Sequence, residues 1–284
     1  MKNKYIEQTM RFVFLAAACV SIAATITICI FLFANGVPAM LKIGLKNFIF
    51  GLKWKPSIDL YGIFPMIVGS ITVTLGALIL GVPLGLFTAV FLARYCPKQL
   101  YNFFESGVKL LAGIPSVVYG FFGLTVIVPA IRNIFGGNGT SILAASIVLA
   151  IMILPTVISV SASSLQAVND SLRYASLALG ATKMQTIWKV VVPAAKSGLL
   201  TGVVLGVGRA LGEAMAINMV AGGAVNIPLP FNSVRTLTTQ IVSEMGYAEG
   251  LHRRVLFTVG LVLYIFIMIV NFILLKARRR ELHE

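Results

Sequence analysis

The chain is poor in the residues from which soluble enzymes build their sites. Of 284 residues only 9 are Asp or Glu, 3 are Cys and 2 are His. Three cysteines make no disulfide framework, and Cys19, Cys29 and Cys96 read as small apolar side chains. His252 and His283 have no ligand-type neighbours at metal spacing, so no metal site is expected. No Gly-x-x-x-x-Gly-Lys-Ser/Thr sequence occurs, which excludes a phosphate cradle of the P-loop kind. No nucleophile is paired with a base in any recognisable pattern, so neither catalysis nor a cofactor is expected. Pro/Ser-rich linkers, charge blocks and low-complexity tracts are missing too, which leaves a single domain.

What is present is apolar. Hydrophobic residues make up 58% of the chain and charged ones 11%, and the mean hydropathy is +0.94. A hydrocarbon core of roughly 30 Å needs about 20 helical residues to cross. Six runs qualify: 12–33, 65–93, 107–131, 141–165, 197–221 and 255–275. They are too long and continuous for barrel strands, so the expected fold is an all-α membrane protein with six transmembrane helices.

The net charge of +14 is distributed as a topology signal rather than as a nucleic-acid surface. With both termini inside, fourteen cations fall on the cytoplasmic side and eight outside, with Arg209 alone inside a span. The Lys276–Arg280 cluster is the firmest anchor. Lys42, Lys46, Lys53 and Lys55 sit on the opposite side, in an amphipathic stretch expected to lie at the outer surface. The first apolar run exceeds a secretory core and no Ala-x-Ala site follows it, so it reads as an uncleaved helix. Residues 1–64 then form an N-terminal helix and external segment, and 65–284 a five-helix core.

Several spans carry breakers. The second has Gly76, Gly81, Pro83 and Gly85; the third has Gly113-Ile114-Pro115-Ser116; the fourth has Pro155, followed by Thr156, Ser159 and Ser161. Such breaks either kink the helices or face a pathway. No two halves match as inverted repeats do, which argues against many secondary transporters.

Two segments carry the mechanistic signal. The loop 166–196 is expected to hold a short helix capped by Asp170 or Ser171. Ala175, Ser176 and Ala178 offer little bulk, Gly180 can turn the chain back, and Pro193 suits the first turn of the next helix. It is either an ordinary hairpin or a docking knob. On the fifth span, helical spacing places Gly198, Gly202, Gly206, Arg209 and Glu213 within an arc of about 80°. Each charge costs about 2.5–3.5 kcal/mol at the bilayer centre, and the i,i+4 spacing suggests that Arg209 and Glu213 pair. The pair is either helix glue or part of the translocation pathway.

The run Tyr174-Ala175-Ser176-Leu177-Ala178-Leu179-Gly180, with Pro193 after it, resembles the EAA loop of ABC-importer permeases, the segment that docks on an ATPase subunit. Gly208-Arg209-Ala210-Leu211-Gly212-Glu213-Ala214-Met215-Ala216 resembles the matching helix of phosphate-specific permeases of the PstC type. Tyr61-Gly62-Ile63-Phe64-Pro65, Gly113–Gly120 and Val234–Thr238 support this, so the likeness runs from about residue 60 to 245. The resemblance implies a MetI-like core in a bacterial or archaeal cytoplasmic membrane. It implies phosphate import with a PstA-like second permease, an ATPase dimer and an external phosphate-binding protein. It implies pathway roles for Arg209 and Glu213 and coupling roles for Tyr174, Ala175, Ser176, Ala178, Gly180 and Pro193. Tyr174 departs from the pattern, which has glutamate there. Three alternatives stay open: import of another oxyanion such as sulfate or molybdate, an ion-coupled secondary transporter with Glu213 as its proton site, and a membrane scaffold or regulatory subunit, which the resemblance also allows.

Overall fold

The computed structural model describes residues 2–227 and 229–280; His283 and the C-terminal Glu284 lie outside the described residues. The helices are α1 (Lys2–Ile43), α2 (Leu45–Phe50), α3 (Phe64–Val90), α4 (Lys98–Gly113), α5 (Ser116–Phe122), α6 (Val128–Phe135) and α7 (Ile142–Gln166). They continue with α8 (Asp170–Ala178), α9 (Lys183–Thr186), α10 (Val192–Ala194), α11 (Lys196–Gly212), α12 (Met215–Val220), α13 (Leu237–Glu244) and α14 (Gly250–Arg280). A two-stranded antiparallel ribbon, β1 (Trp54–Lys55) with β2 (Leu60–Tyr61), follows α2. Single π turns extend α3 to Tyr95 and join α5 to α6.

Five stretches are long and apolar enough to cross a membrane: Glu7–Ile43, Phe64–Tyr95, Ser116–Phe135, Ile142–Gln166 and Gly250–Lys276. The sixth is a pair, Lys183–Ala194 with Lys196–Gly212, bent by 67°. Three expected spans shift. The first runs on to Ile43 rather than ending at 33, because the helix continues through Pro38. The third begins at Ser116 rather than 107, because Ile114 and Pro115 are extended and end α4 before the membrane run starts. The fifth stops at Gly212 rather than 221, because Glu213 adopts an extended conformation and the chain restarts as α12.

The bundle is organised around α7. Its capping serine, Ser141, accepts from the Ala144 N–H at 3.2 Å. Two glycine faces then close on it from opposite neighbours. On α3, a Cβ at Gly81 or Gly85 would approach Ile153 or Val157 to 2.9 or 2.8 Å, and one at Gly76 would overlap Ser146. On α11, a Cβ at Gly202 would meet Ser161 at 2.9 Å, one at Gly206 would meet Val157 at 3.0 Å, and one at Gly198 would overlap Ser164. Small residues thus let three backbones approach in a medium that supplies no hydrophobic drive of its own between helices. The packing expected for the small face of the fifth span is realised through Gly198, Gly202 and Gly206.

Three apolar clusters stack along the bundle. Val73, Ala77, Val148, Leu149, Ile153, Ala210, Ala216 and Val220 fill the middle. Ala89, Val90, Leu165, Ile187 and Val191 fill the end beneath α8. Ala39, Phe48, Trp54, Tyr61, Ile63, Leu237, Val255 and Leu256 fill the opposite end. The segment after α1 therefore contributes Phe48, Trp54 and Tyr61 to a cluster shared with α13 and α14. Gly44, at φ +89°, ends α1 and lets the chain turn into α2.

Candidate functional site

At the centre of the bundle the helix break decides what each charge can do. Arg209 lies in the last turn of α11, half-buried, and its Nη1 donates to Thr156 Oγ1 at 3.2 Å. Thr156 follows Pro155, so the arginine faces the one turn of α7 that proline interrupts. Among the described residues this is the only hydrogen bond of the guanidinium. Most of its five N–H donors therefore point at no protein acceptor, in a fork suited to tetrahedral oxyanions.

Glu213 is differently engaged. Its φ of −75° and ψ of 129° leave the helix, and its Oε1 accepts the backbone N–H of Ala216 at 2.9 Å. Its own carbonyl accepts from Thr238 Oγ1 of α13 at 2.9 Å. The i,i+4 ion pair with Arg209 is therefore not formed. That spacing brings two side chains together only where the backbone stays helical, and here it ends between them. The carboxylate satisfies the first turn of α12, and the arginine takes a hydroxyl from a different helix.

At the end of the bundle beneath α8 the loop 166–196 is a stiff projection. The Asn169 side chain, rather than Asp170 or Ser171, caps α8 by accepting from Ser171 N at 2.9 Å; Asp170 occupies the first turn. Gly180, at φ +84°, turns the chain, and Thr182 with Gln185 forms a reciprocal capping box on α9. Ser176 Oγ and Thr186 Oγ1, 3.0 Å apart, tie the two short helices together. A π turn over Ile187–Val191 then leads to α10, where Pro193 sits in the first turn. Tyr174, Ala175, Ala178 and Gly180 are exposed, while Ser176 is partly buried.

Two contributors were not singled out from the sequence, and a third reads there only as a hydroxyl after Pro155. Leu179 is 89% exposed, and Leu172 and Met184 also stand clear of the bundle, so the tip of the projection is apolar as well as small. Arg94, its side chain only 10% exposed, donates to the Leu165 carbonyl at the end of α7 and lies 3.6 Å from Asp170. It pins the base of the projection to α3 and α7. Thr156 is the third. Periodicity could have flagged Leu179, as an apolar residue beside a turn glycine; Arg94 gave no local signal, and Thr156 only its place after the helix-breaking Pro155.

At the opposite end of the bundle Glu244 gathers three segments. It accepts from Arg235 Nη1 at 2.9 Å and from Trp54 Nε1 at 2.9 Å, and lies 2.8 Å from His252 Nε2. His252 thus serves a polar network joining β1, α13 and α14. Among the described residues, no group of three or more His, Cys, Asp or Glu is placed to hold a metal.

The profile of one family, binding-protein-dependent transport system inner membrane components, matches residues 81–282. The Bacillus subtilis protein named Probable ABC transporter permease protein YqgH is 41% identical, over 98% of this chain and 94% of its own length. The Phosphate transport system permease protein PstC of Pasteurella multocida is 31% identical, over 83% of this chain and 81% of its own. Among solved structures, an inward-facing MetNI methionine ABC transporter chain superposes with TM-score 0.61 at 24% identity, covering 81% of this chain and 99% of that one. A bacterial alginate ABC transporter chain, in complex with its periplasmic protein, reaches 0.64 at 15% identity and 94% of each. These two structural likenesses speak to the fold.

Proposed function

The chain belongs to the family of binding-protein-dependent transport system inner membrane components, and from that premise we propose that it is the PstC-like permease subunit of an ATP-driven importer of inorganic phosphate. Its partners in this reading are a PstA-like second permease, an ATPase dimer and an external phosphate-binding protein. Both termini face the cytoplasm. The named relatives that carry phosphate in their own names support the substrate.

The observation that carries the reading is the break after Gly212. It leaves the Arg209 fork held by one neutral hydroxyl while Glu213 is occupied in capping α12. Thr156 offers the guanidinium a single neutral acceptor, whereas phosphate offers several charged oxygens that the planar fork can engage in pairs, so phosphate can displace Thr156. Glu213, kept on its backbone partner, does not compete for the arginine, yet its charge limits how long a divalent anion rests there. The site binds and releases rather than traps.

The projection supplies the drive. Its exposed Leu179, flanked by Tyr174 and Ala178, inserts into the ATPase, and Arg94 with Asp170 transmits the movement to α3 and α7. Reconstitution with the candidate partners tests the whole reading. ATP-dependent uptake of phosphate, with sulfate and molybdate taken up far more slowly, is expected. Uptake that follows a proton gradient and ignores ATP would instead establish a secondary transporter.

A further inference from the structure

On the outer end, residues 43–62 form a closed loop rather than a trailing segment. Gly51 and Gly62 cross so tightly that a Cβ on Gly51 would stand 2.7 Å from the Gly62 Cα. Backbone bonds from Gly62 N to Lys53 O and from Ile63 N to Phe48 O, both 2.9 Å, fasten the crossing, beside the Trp54–Tyr61 strand pair. Against this frame lies a cavity of about 530 Å³, lined among others by Lys46, Asn47, Phe50, Leu52, Lys53 and Asp59. Ammonium and amide groups thus share a hollow with apolar side chains.

The height of the loop follows from one contact. Thr258 Oγ1 donates to the Gly36 carbonyl at 2.9 Å, which sets Gly36 of α1 level with the turn just after Arg253 and Arg254. Those arginines are the last charges before the apolar run of α14. Ile43 is then roughly 10 Å further along α1. This places the cavity in the polar layer that flanks the hydrocarbon core. Leu41, Leu45, Phe50, Leu52 and Ile58 are exposed there, interleaved with Lys42, Lys46, Lys53 and Lys55. Apolar side chains that dip into acyl chains beside lysines that reach headgroups form an interfacial pattern.

The charge balance points the same way. Two lysines line the cavity against one carboxylate, Asp59, and Lys42 and Lys55 flank it. Asp59 Oδ1 already accepts the Tyr61 hydroxyl at 3.3 Å. Burial, then the Asp59 charge, holds the Tyr61 phenol above its usual range, so it stays a neutral donor.

We propose that this cavity seats the phosphodiester of an anionic phospholipid from the adjoining leaflet, with Lys46 and Lys53 on the phosphate and Phe50 and Leu52 against the acyl chains. The site is separate from Arg209 and independent of the transported substrate.

The test uses the full-length protein, with whatever subunits stay associated, and phosphatidylglycerol as the probe. Native mass spectrometry should show bound phosphatidylglycerol retained in preference to phosphatidylcholine. Lys46→Gln with Lys53→Gln should lower retention roughly tenfold. The corresponding Arg pair should keep it, and Lys109→Gln with Lys189→Gln should leave it unchanged. A headgroup-photoactivatable phosphatidylglycerol should label the peptide 43–62 of the unmodified protein, which needs no variant to fold. Labelling confined to other segments, or equal retention by the Gln pair, overturns the proposal. Displacement of the lipid by excess inorganic phosphate alone also overturns it, because the cavity would then be a site for the free anion.

Discussion

Arg209→Gln separates a transport role from a structural one, because the first predicts lost uptake and the second lost assembly. In the resting structure the guanidinium makes one hydrogen bond, to a hydroxyl at 3.2 Å. Because the donor is charged, its removal costs up to about 1.5–3 kcal/mol, and the Gln amide recovers part of that. A domain with about 5–15 kcal/mol of stability tolerates such a change, so insertion and assembly should be normal. Contact with a phosphate oxygen is charge-assisted, worth about 1.5–3 kcal/mol, or roughly 10- to 150-fold in uptake below saturation. The assay is ATP-dependent phosphate uptake in proteoliposomes, counted per assembled complex. Arg209→Lys should fall between, since an ammonium lacks the planar fork. Thr156→Val should change uptake only by about threefold, because it frees the fork without removing it. The double exchange Arg209→Glu with Glu213→Arg should not rescue, because Glu213 lies beyond the helix end and the two positions share no face. The reasoning fails if Arg209→Gln transports within about twofold of the parent, or if it loses assembly instead of uptake.

Three further outcomes are expected. Ala178→Arg and Leu179→Ser alter exposed positions on the projection, so both should melt like the parent yet fail to co-purify with the ATPase; unchanged co-purification removes the docking role. Gly198→Val places a side chain into Ser164 of α7, an overpacking that costs about 1–3 kcal/mol, so the melting midpoint should fall by several degrees, whereas Gly107→Val, where nothing lies within 4 Å, should leave it in place. A topology reporter inserted near Gly137 should read outside and one fused after Glu284 cytoplasmic; an external C-terminus would mean an odd number of crossings.

How far the architecture could be read in advance depended on which property each element uses. Length and apolarity alone mark a span, so Phe64–Tyr95, Ile142–Gln166 and Gly250–Lys276 were legible within a few residues. Close approach between helices was legible on α11, where small residues recur on one face. Breaks were legible only in part. Gly113-Ile114-Pro115-Ser116 reads as a breaker but not as the start of the span, and the break at Gly212-Glu213 escapes because helical bookkeeping assumes the helix it is meant to test. The same assumption paired Arg209 with Glu213. Asn169 lost to Asp170 and Ser171 because all three are good caps and only the backbone angles choose among them. Thr156 and Arg94 act through partners 53 and 71 residues away, and no local pattern encodes such a distance.

The Glu244 hub sets an order of events during synthesis. Trp54 and Glu244 are 190 residues apart, and Thr258 reaches Gly36 across 222. The early ribbon therefore emerges long before its carboxylate and imidazole partners exist, and the last helix is the piece that closes the outer layer. Until α13 is made, the indole N–H of Trp54 lacks its carboxylate partner, and until α14 is threaded, Phe48 and Ile63 lack the Val255 and Leu256 side of their cluster. A nascent chain stalled before residue 250 would present that apolar patch to membrane chaperones and proteases, which makes late truncations a matter of quality control and not of lost transport alone.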